Sequence, residues 1–151
     1  PIREMVDADF SGSILDADLA FKDGRVTGEY RLKKPGELEK RIVPFDKTGP
    51  RDLRARASIF GLAAALPLRP GAVFALTWIS VLSGAFENVK LTVAGVERVV
   101  TPAGSHDAYR IDVQGSSPEN VIFVAKDDRR VLRIDVVGQN MRFERLPDKA
   151  R

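Results

Sequence analysis

The sequence predicts a mostly β, α+β protein: a curved antiparallel sheet or half-barrel of about nine or ten strands, with one helix inserted near residues 50–66. Three observations predict it. Two period-2 apolar runs flank the Asp23-Gly24 pair. The period changes once, to that of a helix, between Pro50 and Leu66. Beyond Gly71 the chain returns to short apolar runs joined by links of hairpin length.

The first observation is the most specific. Leu15, Ala17, Leu19 and Phe21 alternate with Asp16, Asp18 and Ala20, and Val26, Gly28, Tyr30 and Leu32 alternate with Thr27, Glu29, Arg31 and Lys33. Asp-Gly between two such runs favours a type I′ turn, because both central residues need φ > 0. That turn sets a register: Phe21 opposite Val26, Ala17 opposite Tyr30 and Leu15 opposite Leu32. On the polar face Asp16 then meets Arg31, and Asp18 meets Glu29 in a mild charge conflict. Lys34-Pro35-Gly36 turns the chain into a third strand over Leu38 to Phe45, which Pro44 marks as an edge or an end.

Thr48 or Gly49 is placed to cap the helix, Pro50 suits its first position, and Asp52 complements its first turn. Leu53, Ala57, Phe60 and Ala64 share one helical face, which predicts that Leu53, Phe60 and Ala64 face the sheet and Arg54 faces water. Pro67 and Pro70-Gly71 end it. Val73 to Leu82 is apolar on both faces, as a strand covered on both sides would be. The later strands fall at Val89 to Val93, Val96 to Thr101, Ala108 to Val113, Val121 to Ala125, Val131 to Val137 and Met141 to Leu146. Ala94-Gly95 is a bulge or a turn. Pro102-Ala103-Gly104, Asp127-Asp128 and Gly138-Gln139-Asn140 are tight connections.

With 151 residues, 44% hydrophobic and 30% charged, the chain is expected to be one domain, 1–151, with a core that needs no staples. It has no cysteine and one histidine, which excludes disulfides, thiolate chemistry and polyhistidine metal centres. The net charge is +3, with both signs interspersed. Lys33-Lys34 and Arg129-Arg130 read as solvated loop ends, so no nucleic-acid partner is expected. No apolar run reaches the length of a transmembrane helix. The chain opens on Pro1 rather than Met, as a trimmed or mature fragment would.

Three stretches carry a family resemblance: Ala-Leu-Pro-Leu-Arg-Pro-Gly (65–71), Gly-Val-Glu-Arg-Val-Val-Thr-Pro-Ala-Gly-Ser-His-Asp-Ala-Tyr-Arg-Ile (95–111) and Val-Ala-Lys-Asp-Asp-Arg-Arg-Val-Leu-Arg (124–133). Together they resemble uncharacterised bacterial envelope proteins related to the outer-membrane lipoprotein-sorting and carrier proteins. The resemblance is structural, in a helix-ending Pro-Gly, a Pro-Ala-Gly hairpin and an Asp-Asp turn. It implies a curved half-barrel with a helix on its concave side, a periplasmic or extracytoplasmic location, and a lipid or other apolar ligand, or an envelope protein, as partner.

No catalytic residue is expected. Ser105-His106-Asp107 are adjacent and cannot converge as a triad. They belong in the turn after Pro102-Ala103-Gly104, and His106 lacks partners for a metal. Asp16 with Asp18, and Asp7 with Asp9, could gather oxygen ligands for Ca²⁺ but read as solvated strand faces. No phosphate loop, nucleophile elbow or zinc motif occurs, so neither metal nor cofactor is expected. The feature with functional content is apolar: Phe60, Phe74, Leu76, Trp78 and Phe86 could line a sheet–helix cavity, with small residues Ala57, Gly61 and Ala64 on the helix. The expected function is a non-catalytic envelope domain binding a lipid-like ligand. The alternatives are a structural or protein-interaction module with a solid core, and a hydrolase with an unrecognised carboxylate site.

Overall fold

A computed structural model describes residues 2–10, 13–51, 53–80 and 84–147, with backbone alone at 2–10, 13, 57 and 60. Among the described residues the order is β1 (Ile2–Phe10), β2 (Ser13–Lys22), β3 (Arg25–Lys33), β4 (Arg41–Thr48), β5 (Arg54–Ala55), a 3-10 turn (Arg56–Ser58), α1 (Ile59–Ala65), β6 (Val73–Ser80), β7 (Ala85–Thr101), β8 (Gly104–Gln114), β9 (Asn120–Ala125), β10 (Val131–Val136) and β11 (Met141–Glu144). The protein is mostly β with one short helix, as expected. The strands form two sheets, however: four strands in the order β1-β2-β3-β4 and seven in the order β11-β10-β9-β8-β7-β6-β5, the latter curved as a half-barrel. The chain divides into two compact units, Pro1–Arg56 with Thr77–Phe86, and Ala57–Leu76 with Glu87–Arg151.

In the first unit the hairpin forms in the register that its turn dictates. Asp23 and Gly24 have φ of 49° and 78°, the two positive values of a type I′ turn. Phe21 pairs with Val26, Ala17 with Tyr30, Leu15 with Leu32, and Asp16 with Arg31. Alternation then places Leu15, Ala17, Leu19, Phe21 and Val26 in one buried cluster with Phe45, Leu53, Ala55 and Ile79. Gly28 is opposite Leu19 on one side and Phe45 on the other. The two large side chains pack across a position with none.

The third strand starts later than the periodicity predicts, at Arg41. Glu37 closes a turn with Lys34, through its own N–H to the Lys34 carbonyl (3.1 Å) and its carboxylate from the Lys34 N–H (2.8 Å). Leu38 is left in solvent, and pairing begins where Arg41 comes opposite Leu32. Pro44 is on an edge strand, as expected.

The helix is the larger correction. Pro50, Arg51 and Leu53 to Ala55 are not helical: the Gly49 N–H donates to the Gly24 carbonyl (2.8 Å), and Leu53 closes a single turn onto Pro50 (3.0 Å). Leu53 and Ala55 are buried while Arg54 between them is exposed, the alternation of a strand. Arg54 and Ala55 pair in parallel with Trp78 and Ile79. The Thr48 or Gly49 cap is therefore absent. Ser58 occupies the cap position, without a side-chain capping bond to the helix, and the Leu66 N–H closes the last turn onto Leu62 (3.1 Å) ahead of Pro67. The buried helical positions described are Ile59 and Ala63, one turn apart, rather than Ala64, which is half-buried.

In the second unit the two strands expected around Ala94-Gly95 are one, β7, whose register to β8 shifts between Val93 and Gly95. Ala94-Gly95 is thus a bulge. The Pro102-Ala103, Asp127-Asp128 and Gly138-Gln139-Asn140 links all join antiparallel neighbours.

Candidate functional site

Register across β7 to β11 sorts the second unit's sheet into two chemically different faces. One face carries the rows Val93–Ile111–Ile122–Ile134–Phe143 and Leu91–Val113–Asn120–Val136–Met141. Val93, Ile111 and Ile122 are at most 1% exposed. α1 packs against β10 and β9. The rows open into solvent at β11, where Phe143 is 55% exposed.

The opposite face is charged over much of its area. Arg110 Nε donates to Asp112 (2.9 Å), Arg142 Nε donates to Asp135 (2.7 Å), and Arg133 is 3.1 Å from the same Asp135 carboxylate. The Arg133 guanidinium lies 4.1 Å from the Phe123 ring centroid and caps a small apolar cluster of Val99, Ala108, Phe123, Ala125 and Leu132.

The five apolar residues that the sequence singles out fall in both units. In the first, Trp78 is 1% exposed with the Arg56 guanidinium 5.8 Å from its ring centroid. Phe86 lies against Gly49, where a Cβ would come within 3.1 Å of its ring. In the second, Phe74 and Leu76 are half-buried on β6. The side chain of Phe60, on α1, lies outside the description.

Ser105-His106-Asp107 is not a turn. The hairpin closes in two residues, with Thr101 opposite Gly104, and its Oγ1 accepts the Ala103 N–H (3.2 Å). The three residues therefore open β8 and alternate. Arg98 donates to Ser105 Oγ (2.8 Å) and Asp107 (3.0 Å) on one face. His106 is opposite the buried Val99 on the other, with Nε2 buried and unpartnered. Serine and histidine point apart, so this stretch offers no nucleophile–base pair.

The aspartates are spoken for locally. Asp16, although opposite Arg31, pairs with Lys40, while Arg31 pairs with Glu29 on its own strand. Asp128 accepts the Arg130 side chain and its N–H (3.0 Å). Those bonds hold the Asp128 carboxyl below the usual carboxylate range. Asp46 is lowered likewise by Arg25, which donates to both its oxygens (2.8 and 2.6 Å). The side chains of Asp7 and Asp9 lie outside the description. Among the described residues no three acidic or histidine groups gather for a metal, and no helix is long and apolar enough to cross a membrane.

One family model, described as "Protein of unknown function (DUF3108)", matches residues 9–139. The chain belongs to the DUF3108 family. No curated protein and no solved structure matches it. The DUF3108 match runs from β1 into the link before β11, so it takes in both sheets and α1. Sequence reasoning placed a strand at Met141 to Leu146 but no site on it, because its apolar residues look like those of any short strand until the register shows them at the open end of a buried row.

Proposed function

We propose that this DUF3108 chain is a non-catalytic binding domain for an apolar, lipid-like ligand held on the apolar face of the second unit's sheet. One observation carries the reading. The apolar residues of the rows on that face are buried from β7 to β10, at most 7% exposed, so the room for a ligand lies at the margin of the face rather than over its centre. Phe74 and Leu76 remain half-buried at the β6 margin, where a ligand's chain would complete the cover. The resemblance of residues 65–133 to envelope proteins supports the same ligand class and a periplasmic location. Recovery of the native protein with periplasmic markers is the check on location, and recovery in the cytosol would remove it.

The ligand reading is tested by titration with 1-N-phenylnaphthylamine. Saturable binding is expected, and Phe74→Ala with Leu76→Ala should weaken it about tenfold, the effect of losing some 1.4 kcal/mol of apolar burial. No saturable binding by the parent protein would overturn the proposal. The enclosure of Trp78 favours the second reading, an interaction module with a solid core, at least in the first unit.

A further inference from the structure

β11 ends the seven-stranded sheet, and it is the less guarded of that sheet's two edges. β5, at the other end, has two residues, and β4 in the smaller sheet carries Pro44 and Lys47. β11 reads Met141-Arg142-Phe143-Glu144, without Pro, Lys or a register shift.

The hydrogen-bond phase of this edge can be read from one bond. The Arg145 N–H donates inward to the Leu132 carbonyl (2.8 Å). Antiparallel pairs alternate between bonded and non-bonded. Phe143 with Ile134, and Met141 with Val136, are therefore the bonded pairs. The N–H and C=O of Arg142 and Glu144 point away from β10, toward whatever lies beyond the edge.

We propose that β11 pairs antiparallel with β11 of a second copy, about a two-fold axis through Phe143. This register is the one that satisfies backbone and side chains together. Arg142 of each copy comes opposite Glu144 of the other, and these are the residues whose backbone groups point outward, so both flanking pairs are hydrogen-bonded. Phe143 meets itself at a non-bonded pair, where side chains approach most closely. It is 55% exposed, so the pairing covers apolar surface that the isolated chain leaves in water. Arg142 already holds Asp135 at 2.7 Å, while its distance to Glu144 within the chain is 3.8 Å, which leaves Glu144 available to the facing arginine. Shifting the register by one residue would set Arg142 opposite Phe143 and lose both matches. The strand is short, so the association is weak and concentration-dependent.

Sedimentation equilibrium across a wide concentration range tests it. The parent protein should pass from monomer to dimer. Glu144→Pro removes an outward N–H and no inward bond, so it should keep its fold, by circular dichroism and Trp78 fluorescence, and lose the dimer. Arg142→Glu and Glu144→Arg face like charges across the axis and should each be monomeric. Their equimolar mixture restores both opposite-charge pairs and should dimerise. Binding of the apolar probe should be unchanged in all three, because Phe74 and Leu76 are untouched. A parent that stays monomeric at its highest soluble concentration overturns the proposal. So does a dimer indifferent to Glu144→Pro, or a mixture that fails to associate.

Discussion

Gly24, Gly28 and Gly36 all have positive φ but are constrained to different degrees. At Gly24 (φ +78°) a Cβ would come within 2.7 Å of the Gly49 carbonyl oxygen and 2.8 Å of that of Pro50. At Gly28 (φ +148°) it would fall 2.0 Å from the Asp18 carbonyl oxygen. At Gly36 (φ +86°) it would meet nothing within 4 Å. An alanine at Gly36 therefore suffers the backbone penalty alone, about 1–2 kcal/mol. Gly24→Ala and Gly28→Ala should exceed that, because backbone carbonyls cannot swing aside as a side chain can. Urea denaturation followed by Trp78 fluorescence measures all three, and a Gly24→Ala no less stable than Gly36→Ala would contradict the close approach of residues 49–50. Asp-Gly in the sequence was enough to predict the turn; the approach of Gly49 was not, since it depends on the path of a segment 25 residues away.

At the scale of elements, local signals hold wherever the pairing partner is a near neighbour in the chain. The β2–β3 register and the tight links after Thr101, Ala125 and Val136 all follow from residues within one hairpin, while Ala94-Gly95, a bulge or a turn by sequence, is decided by the register to β8. They fail between Pro50 and Ala55. There the helical spacing of Leu53 and Ala57 coexists with strand alternation at Leu53, Arg54 and Ala55, and only one can be satisfied. Leu53 and Ala55 enter the cluster of Leu19, Phe21 and Phe45, and Arg54 and Ala55 pair with Trp78 and Ile79. Burial in a core already formed outweighs a helix propensity worth tenths of a kcal/mol per residue. The same reasoning covers Leu38, an apolar residue that no strand recruits because the Lys34–Glu37 turn places it ahead of the pairing.

At the scale of the whole molecule, the two units are not consecutive. The chain passes between them at residues 56–57, 76–77 and 86–87, so β6 and β7 each contribute residues to both. A strand shared in this way ties the unfolding of one unit to the other, and a single cooperative transition is expected. Trp78, the one tryptophan, lies in the first unit, while far-UV circular dichroism reports strands of both. Their denaturation midpoints should coincide. Fluorescence that melts ahead of, or behind, the dichroism would show that the units unfold separately. The paired surface charges such as Arg25–Asp46 and Arg98–Asp107 are largely solvent-exposed, so added salt should move that common midpoint little.

The sequence by itself determined the β class, strands β8 to β11, the β2–β3 register and the lack of thiol or polyhistidine chemistry, because period-2 alternation, turn residues and composition act over a few residues. Tertiary structure alone decided that Arg54 and Ala55 form a strand rather than part of a helix, that the strands divide into two sheets, that Ser105 and His106 face apart, and that β11 is an edge with Phe143 in solvent. These depend on which strand lies beside which, and strand order is a matter of long-range packing that no local pattern encodes.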